Sequence, residues 1–194
     1  IQSAINALTA GRTWKEKVVL QGDFIFIKPI YVAFYIILEI LGNIKADANF
    51  QTANIGPPPA EPGLRRLIVG SNLQAANPQP IYIDIIGGTL DGNKANQPAP
   101  PQANDGFLIF FFNGININIK NVKGINSKAY GMDLDNCANS YVENVRMESC
   151  DADGFYNVHS EATYINCKGR LNGRHGFSMA ERGYSTEKTG SQAG

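Results

Sequence analysis

The sequence is poor in cysteine and has no apolar segment long enough to cross a bilayer. Its 194 residues include three cysteines, Cys137, Cys150 and Cys167, whose spacing is not that of metal ligands. Because their number is odd, at least one is unpaired, and we expect all three to be small buried side chains. The longest apolar run, residues 29–41, contains Glu39 and suits a buried strand better than a membrane helix. These features argue against a cysteine metal site and against a membrane span.

The chain also lacks an excess of charge of either sign. Lys and Arg number 17, and Asp and Glu number 17, so the net charge is zero when the histidines are neutral. A neutral chain has no general attraction to nucleic acid or to an anionic membrane, and we expect neither as a partner. No secretory leader is visible, but the sequence opens in mid-pattern at Ile1, which favours a processed or truncated start.

Residues 80–180 lack helical periodicity but contain a repeated unit in which glycine is followed by Phe or Met. The unit recurs at Gly106, Gly131, Gly154 and Gly176, at intervals of 25, 23 and 22 residues. Asparagines recur at nearly the same intervals, at Asn121, Asn144 and Asn166. Periods of this length are typical of solenoid proteins.

The segments between these units are strand-like, because β-formers alternate or cluster in them and Gly, Asn and Asp stand at the bends. Strands that return every 22–25 residues without helices predict an all-β coil whose turns stack in parallel, about 4.8 Å apart. Equivalent residues then form columns. We expect Met132, Phe155 and Phe177 to stack inside the coil in the column of Phe107. The three asparagines should form an amide ladder at a bend.

The start of the chain predicts a short capping helix over residues 1–10. Ile1, Ala4, Ile5 and Leu8 have the spacing of one helical face, and Gly11 ends the pattern. An open β-coil has an exposed strand edge at its first turn, and a helix laid over that edge prevents association.

Two proline-rich loops should interrupt the coil within a single domain that spans residues 1–194. Nine of the ten prolines lie between positions 57 and 101, which predicts loops at 51–63 and 93–105. Residues 184–194 form a polar tail with no second capping helix. Two interpretations stay open: the coil continues in a longer chain, or a partner or a second copy covers this end.

Polar side chains precede each repeated glycine and should form a column of their own. The column contains Asp105, Tyr130, Asp153 and His175, with neighbours about 5 Å apart. Asp133 and Asp135 share one strand face, and Tyr156 falls in the column of Asp133. Carboxylates, hydroxyls, an imidazole and the Arg174 guanidinium together suit the recognition of a sugar. Two alternatives remain: paired aspartates that hydrolyse a glycosidic bond, and aspartates that only hold turns.

Four short motifs, in order, carry a resemblance to a known family. They are "LDGN" (90–93), "YGMDLD" (130–135), "DGFYNV" (153–158) and "RHGF" (174–177). With the "IQSAINAL" start, the sequence resembles the pectin-lyase-like superfamily of right-handed parallel β-helices. From about Thr89 to Gly183 it is most similar to the catalytic module of mannuronan C-5 epimerases. In that family a histidine stands where this chain has Asp135, and an aspartate stands where it has Val158.

The resemblance implies chemistry at C5 of a uronate. Epimerisation needs a base, an acid on the opposite face of the ring, and a group that neutralises the substrate carboxylate. The catalytic candidates that follow are Tyr130, Asp133, Asp135, Asp153 and His175. The substrate-binding candidates are Arg174, Tyr156 and His159, of which His159 lies next to the changed position 158.

The sequence thus predicts an extracellular or cell-surface protein that acts on an acidic polysaccharide, by epimerase-like or lyase-like chemistry. A hydrolase is less favoured, because the aspartate signatures of polygalacturonases are absent. Two rival hypotheses are a glycan-binding module that has lost catalysis and a structural β-solenoid that self-associates through its C-terminal end. We expect no cofactor and no metal ligands, and leave open whether calcium binds.

Overall fold

The chain folds as a parallel β-helix, a solenoid of three parallel sheets. The structure is a computed structural model that describes residues 1–32, 34–50, 53–55, 61–64, 66–71, 78–97 and 106–180. Each of six turns contributes one strand to each six-stranded sheet, and neighbouring strands in a sheet come from successive turns. The predicted all-β coil is therefore confirmed. Parallel strands joined by crossovers take the right-handed connection almost without exception, which is the hand that the sequence predicts.

The first strand of each turn lies in the first sheet. These strands are β1 (Glu16–Gln21), β4 (Ile36–Leu41), β9 (Gln79–Ile86), β12 (Gly114–Lys120), β15 (Ala138–Glu143) and β18 (Ala162–Ile165). The second sheet contains β2 (Phe24–Phe26), β5 (Asn43–Ala46), β10 (Thr89–Asp91), β13 (Lys123–Ile125), β16 (Arg146–Glu148) and β19 (Lys168–Arg170). The third sheet contains β3 (Ile30–Val32), β8 (Arg66–Ser71), β11 (Phe107–Phe112), β14 (Tyr130–Asp135), β17 (Phe155–Val158) and β20 (Phe177–Ala180).

The core consists of columns of apolar side chains that run along the solenoid axis. In the first sheet the backbone register stacks Val18, Leu38, Ile85, Ile119 and Val142. All five are buried. Branched side chains suit this arrangement because they pack well on a pleated surface. Burying one Val, Leu or Ile side chain contributes about 1.5–3 kcal/mol, so the columns are the main source of stability.

The N-terminal helix α1 (Gln2–Asn6) covers the first turn, as predicted, but is shorter than residues 1–10. Ile5 is buried in the core, and the Gln2 side chain pairs with the edge of β3. Its Nε2 donates to the Tyr31 carbonyl at 3.1 Å, and its Oε1 accepts from the Tyr31 N–H at 3.0 Å. The helix ends early because the Thr9 N–H turns to the Glu16 carboxylate, 2.9 Å away. Among the described residues, no helix has the length and apolar character needed to cross a membrane.

The solenoid bends at three corners, and residues with left-handed backbone occupy many of the corners that the structure describes. The corner between the first and second sheets holds Asn121, Asn144 and Asn166, with φ of 59°, 54° and 51°. Asparagine tolerates this region better than most residues. The Asn144 amide donates to Asn121 Oδ1 at 3.2 Å, which confirms the predicted ladder for these two. A second ladder, not predicted from the sequence, joins two asparagines of another corner: the Asn136 amide donates to Asn113 Oδ1 at 2.6 Å.

Both long insertions leave the coil at the corner between the second and third sheets, which we call the second corner. One insertion contains an antiparallel hairpin of β6 (Ala53–Ile55) and β7 (Glu61–Leu64). The other contains a short 3-10 helix, Lys94–Asn96. The remainder of the two proline-rich segments, at 51–52, 56–60 and 98–105, lies outside the described residues, as does the predicted tail at 184–194.

The repeated glycines mark places where successive turns touch. A Cβ atom at Gly131 would lie 2.5 Å from the Gly154 carbonyl oxygen, and one at Gly154 would lie 2.9 Å from that of Gly176. Such distances exclude a side chain. The predicted column of Phe107 is wrong by two residues, because Met132 pairs with Ile109 and Phe107 pairs with Tyr130. Gly106 is therefore not the equivalent of Gly131, because paired positions of β11 and β14 are 23 residues apart and these two glycines are 25 apart.

Candidate functional site

The predicted polar residues meet at the second corner, where the strands of the third sheet begin. The Gly131 N–H donates to the Asp153 carbonyl at 3.0 Å, and the Gly154 N–H donates to the His175 carbonyl at 2.9 Å. These bonds place Tyr130, Asp153 and His175 one above another on successive turns. That part of the predicted column is confirmed. The prediction for Asp105 is wrong, because Phe107 is the residue that pairs with Tyr130; Asp105 itself lies outside the described residues. We call Tyr130, Asp153, Arg174 and His175 the corner cluster.

Asp153 is the buried centre of the corner cluster. Its side chain is 0 % exposed, and its Oδ1 accepts from the His175 N–H at 2.9 Å. The same oxygen lies 3.1 Å from His175 Nδ1 and 3.8 Å from Arg174 Nε. Asp153 Oδ2 is also buried and has no hydrogen-bond partner. A buried carboxylate is expensive unless it is paired, so Asp153 holds the two basic side chains beside it.

Arg174 and His175 carry the accessible part of the corner cluster. The Arg174 side chain is 48 % exposed and the His175 side chain is 65 % exposed. The charge of Asp153, followed by the hydrogen bond to Tyr130, raises the pKa of Arg174 above its ordinary value, so this side chain is a permanent cation. A His175 ring that donates Nδ1–H to Asp153 leaves Nε2 as a proton acceptor. The pair therefore offers solvent a cation and a base side by side.

Tyr130 lies within a stack of aromatic rings and is 2 % exposed. Its ring centroid is 5.2 Å from that of Phe107 and 4.7 Å from that of Tyr156. Arg174 Nη1 donates to the Tyr130 hydroxyl oxygen at 3.2 Å. Burial raises the pKa of Tyr130, and the hydrogen bond and charge of Arg174 oppose that increase without cancelling it. At neutral pH Tyr130 is therefore a phenol, able to give a proton rather than to take one.

Asp133 and Asp135 lie on the outer face of β14, next to the corner cluster. Both are buried, and in β17 Tyr156 pairs with Asp133 and Val158 pairs with Asp135. Burial, followed by the charges of Asp133 and Asp135, raises the pKa of the half-buried Tyr156. The two aspartates thus share one face of β14, as the period of the strand predicts.

His159 lies away from these residues, at the corner between the third and first sheets. It has the left-handed backbone of the asparagines stacked with it (φ 47°), its side chain is exposed, and its N–H donates to the Ala180 carbonyl at 3.1 Å. It therefore holds the corner in the position that Asn113 and Asn136 occupy in earlier turns. His159 follows Val158 directly in sequence, but β17 ends at Val158 and the chain turns at His159. His159 therefore does not take the place of Val158 beside Asp135.

Aromatic and cationic side chains that the sequence does not predict surround the corner cluster. Phe107 stacks on Tyr130, and the Arg66 guanidinium carbon lies 3.5 Å from the centroid of the Phe110 ring. Ser127 Oγ donates to the Tyr130 carbonyl at 2.5 Å and fixes the start of β14. The only available signal was the aromatic segment "FLIFFF" at 107–112, which does not alternate and so does not tell inward from outward positions.

A cleft lies beside the corner cluster rather than over it. It is small, shallow and mainly apolar, with about 20 Å³ of space open to the centre of a water-sized group. Its lining comprises Ala46, Phe50, Leu67, Gly92, Gln97, Gly106, Phe107, Leu108, Ser127 and Lys128. We call it the corner cleft. Phe107 belongs both to the cleft wall and to the aromatic stack. Within the described residues, no group of three or more His, Cys, Asp or Glu side chains is arranged to hold a metal ion.

The three sheets and six turns place the protein among the parallel β-helices. No protein-family model matches the sequence, and no curated protein matches it. Among solved structures, it is similar to the crystal structure of a "putative glycosyl hydrolase" from Parabacteroides merdae, with 14 % sequence identity and a TM-score of 0.65. The match covers 93 % of this chain and 88 % of that chain. At this identity the similarity shows the fold alone.

Proposed function

We propose that the protein binds an acidic polysaccharide at the second corner and acts on the C5 proton of a uronate, by epimerisation or by β-elimination. The observation that supports this proposal is the contact network in which Asp153 holds Arg174 and His175 while Arg174 hydrogen-bonds Tyr130. The resemblance of the sequence motifs points to the same chemistry. Acidic polysaccharides of this kind occur outside cells, so we propose an extracellular or cell-surface location.

His175 is the proposed base. Asp153 orients the ring and stabilises the imidazolium that forms when Nε2 takes the C5 proton. The exposure of the His175 side chain allows a sugar to reach it. Arg174, one residue earlier, is the proposed partner of the substrate carboxylate. Its charge lowers the energy of the negative charge that develops when the C5 proton leaves.

Tyr130 is the proposed proton donor. The backbones of Tyr130 and His175 stand two turns apart, which is about 9.6 Å at the spacing of parallel strands. A sugar ring that lies along the second corner would contact His175 at one end and the hydroxyl edge of Tyr130 at the other. In epimerisation, His175 removes the C5 proton and Tyr130 returns one to the opposite face of C5. In β-elimination, the C4–O4 bond breaks after loss of the C5 proton, the leaving oxygen takes the Tyr130 proton, and a C4=C5 double bond remains.

The assay that tests this proposal incubates the protein with uronans of several types in deuterated water. Deuterium at C5 without loss of chain length means epimerisation, and unsaturated ends mean β-elimination. If neither appears with any uronan, and Tyr130→Phe binds the same chains as the wild type, the proposal of C5 chemistry is wrong.

Glycan binding without turnover is the second candidate, and the burial of Tyr130 favours it. A side chain that is 2 % exposed can reach a substrate only at its hydroxyl edge, where Arg174 already lies. Asp135 and Val158 are the two positions at which this chain differs from the epimerase motifs. They are also paired with each other, across strands β14 and β17. Arg174, His175 and the half-buried Tyr156 are then a binding surface. Binding with no exchange and no cleavage supports this candidate.

Hydrolysis of a glycosidic bond is the third outcome that the assay detects. Asp133 and Asp135 are two residues apart on one face of β14, a separation of about 6.6 Å along a strand. That is close to the lower limit for the two carboxyl groups of inverting glycosidases. The solved structure from Parabacteroides merdae bears a hydrolase description, which agrees with this alternative. Cleavage without unsaturated ends and without exchange at C5 identifies it.

A further inference from the structure

The corner cleft contains one buried hydrogen-bond acceptor that no group satisfies. Gln97 is 8 % exposed, and its Nε2 donates to the Asp47 carbonyl at 2.6 Å. Its Oε1 is buried and has no hydrogen-bond partner among the residues that the structure describes. Rotating the amide by half a turn would bring Oε1 against the Asp47 carbonyl, where two acceptors would repel each other. The orientation is therefore fixed, and Oε1 is an acceptor in want of a donor.

The rest of the cleft is apolar, with a cation in its lining. Phe50, Leu67 and Phe107 supply apolar surface. The Lys128 side chain is 30 % exposed, and its Nζ lies 3.8 Å from an Asp151 oxygen. Apolar walls with few polar groups are typical of sites for small molecules or for substituents of larger ones.

We propose that the corner cleft binds an acetamido group carried by a sugar of the polysaccharide. The three parts of that group match the three features of the cleft. Its N–H supplies the donor that Gln97 Oε1 lacks, its methyl group contacts the apolar walls, and its carbonyl oxygen faces the Lys128 ammonium. A plain hydroxyl has a donor but no apolar part. An O-acetyl ester has the methyl group but no donor.

The position of the cleft links it to the corner cluster. Phe107 lines the cleft and stacks on Tyr130, and Lys128 lies two residues before Tyr130. If the proposed function holds, which this step presupposes, the substrate contains an N-acetylated hexosamine next to the uronate. Binding of the acetamido group itself does not depend on catalysis, so the two proposals can be tested apart.

The test uses neutral monosaccharides, which contain no uronate. Methyl N-acetyl-β-glucosaminide, methyl β-glucoside and the matching 2-O-acetyl glucoside are titrated into the wild-type protein, and binding is followed by saturation-transfer NMR. We expect transfer to the acetamido methyl protons and a Kd at least about tenfold lower than for the other two sugars, since each leaves either the acceptor or the apolar wall unmatched. Equal Kd values for the three sugars would overturn the proposal.

A matched pair of variants isolates the acceptor. Gln97→Leu removes both the donor to the Asp47 carbonyl and the acceptor. Gln97→Glu is compared in mildly acidic solution, where burial favours the protonated carboxyl group, whose O–H donates to the Asp47 carbonyl and whose other oxygen remains an acceptor. We expect Gln97→Leu to raise the Kd of the acetamido sugar about tenfold and Gln97→Glu to change it much less. Unchanged binding in Gln97→Leu, with a melting temperature close to that of Gln97→Glu, contradicts the role of Gln97. If the acetamido sugar binds but no uronan exchanges or binds, the cleft proposal stands and the proposed function fails.

Discussion

Arg174 donates a hydrogen bond to the Tyr130 hydroxyl, 3.2 Å away, although 44 residues separate the two in sequence. Two turns of the solenoid bring them together, and the buried Asp153 carboxylate between those turns holds Arg174 from the other side. A single guanidinium thus joins the aromatic stack to the accessible basic pair. Each proposed role at the second corner depends on this link.

Replacing Arg174 should weaken the binding of acidic oligosaccharides much more than replacing an arginine elsewhere. Arg170 is the matched control, because it is exposed in the neighbouring strand β19 on the second sheet. We expect Arg174→Gln to raise the Kd of an acidic oligosaccharide at least about tenfold and Arg170→Gln to leave it nearly unchanged, since a charge-assisted hydrogen bond contributes about 1.5–3 kcal/mol. Isothermal titration calorimetry measures both. Equal effects of the two substitutions would show a general attraction between charges rather than a site.

The two histidines of the chain provide a second matched comparison. If His175 is the base, His175→Gln should reduce deuterium exchange at C5 about 10²–10⁴-fold while oligosaccharide binding changes little. His159→Asn should leave exchange unchanged, because asparagine also accepts the left-handed backbone at that corner. Exchange that survives in His175→Gln and falls in His159→Asn would reverse the assignment.

The column of the corner cluster was predictable because its spacing is regular. From Tyr130 to His175 each turn has 22 or 23 residues and no insertion, so counting from glycine to glycine finds the paired positions. The same count fails at Gly106, because that glycine stands two residues before the position of β11 that is equivalent to Gly131. Burial of Asp133 and Asp135 was not predictable either, because it depends on packing outside the strand and not on the alternation within it.

The aromatic stack shows a second limit of the sequence. Phe107 and Leu108 are consecutive, but Phe107 packs against Tyr130 in the outer cluster while Leu108 packs in the main core. Opposite directions for two consecutive residues are expected along a strand. The next residue, Ile109, should then face outward like Phe107, but it packs in the main core beside Leu108. Strict alternation therefore does not hold in the first residues of β11, and the sequence gives no sign of where it fails.

A glycine substitution tests the contact between turns. Gly131→Ala should lower the free energy of unfolding by about 1–3 kcal/mol, because the new Cβ atom would meet a backbone oxygen at 2.5 Å. Gly106→Ala is the control, since its nearest atom would be 3.3 Å away. Urea denaturation of both variants measures the difference. A loss for Gly106→Ala as large as that for Gly131→Ala would show that close approach is not the reason for the repeated glycine.

An asparagine substitution separates the backbone role of the corner residue from its amide ladder. Asn144→Gly keeps a residue that accepts φ of 54° but removes the hydrogen bond to Asn121, whereas Asn144→Ala also introduces backbone strain. We expect Asn144→Ala to be the less stable of the two by about 1 kcal/mol, as judged by urea denaturation. If both variants lose the same stability, the ladder and not the backbone conformation determines the choice of asparagine.

Stability should decrease in alkaline solution because of the buried cysteines. Burial raises the pKa of Cys137 and of Cys150 from 9.0 to about 12. Between these values the thiol ionises in the unfolded chain and stays neutral in the folded one. The free energy of unfolding is therefore unaffected by these thiols below pH 9. It falls as the pH rises towards 12, by up to about 1.4 kcal/mol per pH unit for each thiol.

The cysteine prediction is tested by the slope of stability against pH, not by stability at one pH. Urea denaturation of the wild type and of Cys137→Ala is compared at several pH values from 8 to 10.5. The variant loses packing at every pH, but between pH 9 and 10.5 its free energy of unfolding should fall less steeply, because one ionising thiol is gone. Cys167→Ala serves as the comparison, since Cys167 is only partly buried and burial raises its pKa less. Parallel curves for the wild type and Cys137→Ala would show that the thiol of residue 137 is already accessible in the folded protein, contrary to the packing of the core.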